Sequence, residues 1–414
     1  MSGDKHNKPT ILVTDAGRGS AIAIIRSLGR KGWRVIAADS DPRSPGFRSR
    51  YAQERLRYPA PETAPREFVT LLVHAAQEQG IDLIIPVTDA VILPLSEARA
   101  QFDGACRLAL PDAAALEVVT NKLKTLELAA QLGVPAPRTV LVHTAQQAVE
   151  QGQALGWPVV LKPQVSRLYR AQATTGASIE ALTVGYAENP GQLMERMRRF
   201  EGCCPVLLQE YYPGTGYGVE LLLHQGRTLA AFQHKRLREI PITGGASAFR
   251  ESVPIEPALY DCATRLLKAL NWSGLAMVEF KVGAAGPKLM EINGRVWGSL
   301  PLAVCSGIDF PAWLAELYLD GPPDAAAAPK TSYRIGVRAR NLELDMVWIA
   351  QTLRGKQRYP FLPMPGRRQG LAALLGLLNP AYKFDILSVE DPLPGLAEAF
   401  KIIRKFGGKL KEAA

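Results

Sequence analysis

The chain has 414 residues, 47% of them hydrophobic and 21% charged, with a formal net charge of +10. It is too long for one usual hydrophobic core, so roughly two to four lobes are expected. No run reaches the ~18 apolar residues of a transmembrane helix, and the polar start from Met1 to Lys8 has no apolar core of a secretory leader. Five cysteines (Cys106, Cys203, Cys204, Cys262 and Cys305) show no C-x-x-C spacing. The odd count argues against a disulfide framework, and idle thiols in a reducing cytoplasm are the expectation. The charge is uneven: from 331 to 414, 14 Lys and Arg stand against 7 Asp and Glu. A basic segment can meet nucleic acid, anionic lipid or an acidic partner. No nucleic-acid motif accompanies this one, and a solvated surface is the plain alternative.

In chain order, Thr10 to Thr14 predicts a buried strand, Asp15 to Ser20 a turn, Ala21 to Leu28 a helix, and Trp33 to Ala38 the next strand. This is a right-handed parallel βαβ unit. Ile81 to Pro86 is another buried strand. Thr88 and Asp89 follow its C-terminal end, where ligands of open α/β sheets sit. Residues 1–115 are therefore expected to form a doubly wound, Rossmann-like lobe. Gly17-Arg-Gly19 begins a G-x-G-x-x-G pattern, but Ile22 stands in place of the third glycine. Asp39 lies 20 residues past Gly19, where an acid would hold a ribose hydroxyl. A nicotinamide-dependent oxidoreductase is thus one reading, and glycines serving turn geometry alone another. The helix start after Ser20 suits a carboxylate or phosphate, which makes Gly17, Arg18 and Gly19 candidate substrate contacts.

Further along, a helix over Lys122 to Leu132 stops at Gly133, ahead of Pro135 and Pro137. Trp157 to Pro163 predicts a strand with Lys162 at its end, and Pro205 to Pro213 another that breaks at Gly214. Val219–His224, Thr228–Lys235 and Leu275–Val282 continue the β character. Residues 116–208 and 209–325 read as two α+β sections rich in antiparallel strands. Residues 326–414, after a linker-like Ala325–Ala328, read as a basic extension without a motif. Within it, Gly370–Leu378 is too short to span a bilayer, and burial is expected ahead of an interfacial position.

The strongest chemistry lies in Ala276–Val282 and Lys288–Asn293, two strands around Gly283-Ala-Ala-Gly-Pro287, which is a hairpin pattern. With a register symmetric about Ala285, Glu279 and Glu291 oppose each other. Like charges so placed are destabilising without a partner. Alternation puts Asn293 on the face of Glu291. Two carboxylates and an amide oxygen make a hard-oxygen site suited to Mg²⁺, which keeps its other positions for water and nucleotide phosphates. A solvated polar face is the alternative. Arg295 follows Gly294 closely, and a guanidinium there suits a transferring phosphoryl group or an anionic intermediate. Lys162 would take a nucleotide phosphate as partner, or snorkel at its strand end.

The ordered set Lys122, Val-Val-Leu-Lys162-Pro, Leu-Gln-Glu-Tyr-Tyr-Pro-Gly214, Glu220, Glu279 and Glu291-Ile-Asn-Gly-Arg295 resembles the ATP-grasp superfamily. Within it the chain looks most similar to the carbamoyl-phosphate-synthase-like carboxylate–amine ligases, over residues 8 to 320. The resemblance implies a pre-ATP-grasp lobe followed by two α+β subdomains that grip ATP. It implies that Lys122 and Lys162 contact phosphates, that Gln209, Glu210, Tyr211 and Tyr212 form the hinge along the adenine, and that Glu220 meets the ribose or supports the hinge. Glu279, Glu291 and Asn293 would hold Mg²⁺ or Mn²⁺, with Arg295 and Lys162 at the reacting phosphate. Two departures stand out: Asn121-Lys122 in place of the family's Asp-Lys, and a single glycine, Gly176, between Gln164 and Ile179. The cover loop would then use the hydroxyls of Thr174, Thr175 and Ser178.

The resemblance implies an ATP-dependent ligase that joins a carboxylic acid to an amine through an acyl phosphate. Lys235 and Arg236, with Thr243, Gly244 and Gly245, all between hinge and hairpin, are candidate contacts to the acid. A non-catalytic Mg-ATP-binding regulatory protein is the main rival. The expected partners are a small carboxylate and an amine, with no nucleic acid. The basic C-terminus is a candidate for contact with a membrane or an acidic carrier, and a homodimer is compatible with the pattern.

Overall fold

The structure is a computed structural model that describes residues 8–164, 167–172, 176–181, 184–202, 204–355, 360–362 and 364–411. The first lobe has strands β1 (Thr10–Val13), β2 (Arg34–Asp39), β3 (Glu54–Arg57), β4 (Leu83–Ile85) and β5 (Arg107–Leu108), with helices α1 (Gly19–Arg30), α2 (Pro65–Gln79) and α3 (Asp89–Glu97). The sheet order is β3-β2-β1-β4-β5, and every pairing is parallel. Ile11, Leu12, Val13, Val35, Ile36, Leu83 and Ile84 are all fully buried. Such unbroken apolar runs are what a parallel sheet covered on both faces requires.

Helices α4 (Ala113–Thr120) and α5 (Lys122–Gln131) lead into a small lobe. It comprises β6 (Thr139–Val142), α6 (Ala145–Leu155), β7 (Val159–Pro163), the hairpin β8 (Arg167–Gln172) and β9 (Gly176–Ala181), β10 (Gly185–Ala187), α7 (Pro190–Met197) and β11 (Val206–Glu210). Strands β10-β7-β11-β6 form an antiparallel sheet over a core of Val142, Leu161, Leu193 and Leu208. Gly176 and Ser178 stand on β9. Thr174, Thr175 and Cys203 lie outside the described residues.

The large lobe holds β12 (Thr215–His224), β13 (Arg227–Ile240), β14 (Ala246–Ser252), α8 (Pro257–Ala269), β15 (Gly274–Gly283), β16 (Gly286–Asn293), α9 (Leu300–Ser306) and α10 (Phe310–Leu319). β17 (Arg338–Arg340), α11 (Leu342–Arg354), α12 (Arg367–Leu375), β18 (Lys383–Phe384) and α13 (Pro392–Lys411) follow. The sheet order is β16-β15-β12-β13-β14-β17-β18. Residues 326–414 are therefore no separate extension: β17 pairs with β14, and β18 with β17.

Buried arginines make that union. Arg340 is fully buried, bonds Asp345 at 3.0 Å and lies over the rings of Phe249, Tyr382 and Phe384. Arg250 is fully buried against Asp385, and Arg26 of α1 donates to Asp391 at 3.0 Å. The expected burial of Gly370–Leu378 is also overturned. Gly370 and Ala373 face inward, whereas Leu375 and Leu378 are 70% and 83% exposed.

Candidate functional site

The hairpin β15–β16 turns through Gly283↔Gly286, one residue away from a register symmetric about Ala285. Gly286 takes the left-handed φ of 86° that this turn needs. A bulge after the Phe280↔Leu289 pair then adds one residue to β16 and restores Glu279↔Glu291 as a direct cross-strand pair. The bulge, rather than the turn, sets the two carboxylates opposite each other.

Asn293 completes this face: its Nδ2 donates to Glu279 Oε1 at 3.0 Å and to Glu291 Oε1 at 3.2 Å. A half-turn of the amide presents Oδ1 to the same space, since amide N and O are interchangeable by rotation. Three oxygen donors at one point fit a Mg²⁺ that takes its other ligands from water and phosphate. Among the described residues no three His, Cys, Asp or Glu side chains converge as a metal cluster, so the third donor here is the Asn293 amide.

Cations surround the pair unequally. Arg236 Nη2 lies 2.5 Å from Glu279 Oε1, and its Nη1 donates to Glu239 at 3.1 Å and to the Gly245 carbonyl at 2.9 Å. Burial pushes the Glu279 carboxyl up, with Arg236 opposing and Glu291 reinforcing the shift. Burial also works to raise Glu291, but Lys122, Lys162 and Arg295 together hold it below its ordinary value. One carboxylate thus stays ionised beside a second that is easier to protonate.

Lys162, on β7 opposite Leu207 of β11, is pushed down to about 8 by burial, against the attraction of Glu291. Lys122 is lowered by burial as well. It opens α5, where Asn121 caps the helix by accepting from the Leu123 and Lys124 amides at 3.1 and 3.4 Å. An amide oxygen caps as well as a carboxylate, so the Asn121 departure leaves the placement of Lys122 intact.

Two cavities, of about 280 and 420 Å³, adjoin across Lys162, Gln209, Met290, Glu291, Asn293 and Arg295. Lys122 and Asp89 line the smaller one. Glu210, Tyr211, Tyr212, Arg236, Gly244, Gly245 and Lys281 line the larger one. The Glu210 carboxylate is occupied by Lys288 at 2.5 Å and Arg138 at 2.6 Å, and Gln209 Nε2 donates to Thr139 at 2.8 Å. Tyr212 donates to the Gly286 carbonyl at 2.6 Å, and Tyr211 packs edge-on to Tyr186 and Phe361.

Other expected residues are placed differently. Glu220 is fully buried, accepts from Ser299 at 2.9 Å and lies 2.9 Å from His234. It lines neither cavity, because the chain after Arg295 folds over it. Gly17, Arg18, Gly19 and Lys235 line neither cavity either. The Gly17 amide donates to Asp39 at 2.7 Å, so that carboxylate closes the turn instead of waiting for a ribose. A Cβ on Gly19 would come within 2.9 Å of Asp385, which covers the turn. Arg295 Nε reaches both oxygens of Asp89 at 3.0 Å and so ties the hairpin to the first lobe.

Sequence reading missed Glu239, Ser247, Lys281 and Trp297 as lining residues, whereas Thr243, expected beside Gly244 and Gly245, does line the larger cavity. Lys281 was accessible through alternation from Glu279; the others carry no local signal. Thr243 Oγ1, Ser247 Oγ, Trp297 Nε1 and Arg236 Nε are buried without a hydrogen-bond partner.

Together, a first α/β lobe and two α+β lobes closing on a carboxylate hairpin opposite lysines define the class as an ATP-grasp fold. Residues 203–341 match the family model described as ATP-grasp in the biosynthetic pathway with Ter operon. Among curated proteins, the chain is 26% identical to the formate-dependent phosphoribosylglycinamide formyltransferase of Ignicoccus hospitalis, over 34% of this chain and 33% of that one. It is 21% identical to the carbamoyl phosphate synthase large chain of Pyrococcus furiosus, over 62% of this chain and 23% of that one. It therefore spans about a third or less of the length of these relatives. Among solved structures, the biotin carboxylase–βγ-ATP complex of Campylobacter jejuni superposes with a TM-score of 0.60 at 18% identity, covering 80% of this chain and 74% of that one. The L-amino acid ligase of Bacillus licheniformis gives 0.57 at 15% identity, covering 76% and 75%. The ATP-grasp family match covers part of the chain, residues 203–341, and the likeness to the solved structures is one of fold.

Proposed function

We propose that the chain is an ATP-dependent carboxylate–amine ligase. The observation that carries this reading is the Glu279–Glu291 pair with Asn293, facing Lys162 and Lys122 where the two cavities meet. ATP would lie between the small sheet and the hairpin, with its base along the backbone of Gln209–Tyr212 and its phosphates at Lys162 and Lys122. Glu279, Glu291 and Asn293 would hold Mg²⁺ or Mn²⁺. That ion, when bound, spreads the negative charge of the phosphates. The acid would enter the larger cavity, beside Arg236, Lys281, Gly244 and Gly245.

In the reaction, a carboxylate oxygen of the acid attacks the γ-phosphorus of ATP and the bond to ADP breaks. The amine nitrogen then attacks the acyl carbon, loses a proton and expels phosphate, so acid, amine and ATP become amide, ADP and phosphate. Lys162 and Arg295 offset the negative charge at the transferring phosphoryl group and at the tetrahedral oxyanion. No nucleophilic side chain is needed. The relatives' names support the class: a formate-dependent formyltransferase acting on phosphoribosylglycinamide and an L-amino acid ligase.

Screening pools of small acids and amines for ADP release tests this. The expected result is release that requires one acid, one amine and Mg²⁺, and that Glu291→Gln abolishes. ADP release unchanged in Glu291→Gln contradicts a catalytic hairpin.

A further inference from the structure

Helices α12 and α13 both turn apolar stripes outward. Leu371, Leu374, Leu375 and Leu378, on α12 and the turn after it, are 52%, 39%, 70% and 83% exposed. On α13, Leu393, Leu396, Phe400 and Ile403 are 54%, 50%, 72% and 67% exposed. Spacings of three and four place the α13 set on one helix face; on α12 they place Leu371, Leu374 and Leu375 together, and Leu378 lies in the turn Gly376–Leu378 that follows. On α13 the opposite face, Pro394, Gly395, Glu398 and Ile402, is buried. The helix packs against the turn Pro45–Arg48 of the first lobe, so its apolar stripe is held pointing away from the protein. The two helices share a neighbour: α12 packs along α11, and Lys405 of α13 is paired with Glu343 at the start of α11.

Charge identifies the occupant. Arg367 and Arg368 open α12, and Lys401, Arg404 and Lys405 flank the α13 stripe, all of them exposed. The sole acid on either helix is Glu398, which is 5% exposed and sits on the buried face. A second copy seated here would bring basic flanks together. An anionic surface would neutralise them, and an apolar stripe with lysine and arginine beside it is the pattern of a helix lying in a bilayer interface. No helix among the described residues is long and apolar enough to cross a membrane.

We propose that α12 and α13 form a docking surface for an anionic lipid bilayer. The leucines, Phe400 and Ile403 enter the acyl boundary, and Arg367, Arg368, Lys401 and Arg404 meet the headgroups. The surface is separate from the nucleotide cleft, and the proposal does not depend on the ligase reading.

Flotation of the full chain with vesicles of phosphatidylglycerol and phosphatidylcholine, and of phosphatidylcholine alone, tests it. Binding should require phosphatidylglycerol and weaken with salt. Leu375→Glu/Leu378→Glu and Phe400→Glu/Ile403→Glu should each reduce it by about tenfold or more, because a carboxylate then enters the apolar boundary. These side chains are exposed, so the circular-dichroism melt of each variant should match the parent. The proposal is overturned by failure to bind anionic vesicles, by binding indifferent to lipid charge, or by binding that either pair of substitutions leaves unchanged. A lipid-free dimer that the same substitutions dissociate would overturn it too, assigning the face to a second copy.

Discussion

The protonation of Lys162 should govern nucleotide affinity at mildly alkaline pH. Its ammonium is pushed down to about 8 by burial, with Glu291 the main group opposing the shift. Such a lysine is about 90% charged at pH 7 and about 10% charged at pH 9. If only the ammonium binds a phosphate, affinity is full below pH 8 and lost above it. The Kd for ATP should then rise about tenfold from pH 7 to pH 9, or ~1.4 kcal/mol. Isothermal titration with ATP in the metal-free protein measures this directly. Lys162→Met should bind more weakly at pH 7 and lose most of the slope. Glu291→Gln, by removing the group that holds the ammonium charged, should move the break to lower pH. An affinity flat from pH 7 to pH 9, or a slope that survives in Lys162→Met, would refute the placement of this lysine at the phosphates.

Three further outcomes follow from the geometry. Glu279→Gln should raise the Mg²⁺ concentration needed for half-maximal ADP release by at least about tenfold, as read from a metal titration at saturating ATP. Gly294→Ala places a methyl 2.5 Å from Trp272 and 2.7 Å from Val119, so it should cost about 1–3 kcal/mol in urea unfolding through overpacking. Asp345, fully buried, accepts from Arg238 at 2.7 and 2.8 Å and from Arg340 at 3.0 Å. Asp345→Asn leaves buried guanidinium charge without its counter-ion and should cost about 3–5 kcal/mol, with faster proteolysis after residue 330 as the local sign.

Much of this site was legible because its signals are local. Strand alternation around Glu279, Glu291 and Asn293 and the order of the lysines before them are properties of short segments. The Met290 bulge was not legible, since nothing at that position distinguishes an extra residue from a regular pair; the opposition of the carboxylates was expected from a turn register that the structure does not have. Glu220 and Asp39 had the right spacing for a ligand, but each is engaged by tertiary neighbours, Ser299 with His234 and the Gly17 amide, which spacing cannot reveal. The C-terminal strands were hidden for a related reason. Arg338-Ala-Arg340 reads as solvated surface until Asp345, Asp385 and the rings of Phe249 and Tyr382 are brought around its neighbours. Leu371, Leu374, Leu375 and Leu378 mislead in the opposite sense, being apolar and exposed.

The most direct test of the ligase reading follows the carboxylate oxygen. With an acid that supports ADP release, labelled with ¹⁸O in its carboxylate, attack on the γ-phosphorus followed by amine attack leaves one label in the released phosphate. Phosphate carrying one ¹⁸O, formed with the amide in equal amount, is the predicted result. Unlabelled phosphate accompanying ADP would mean that water, not the acid, accepts the phosphoryl group, and would contradict it.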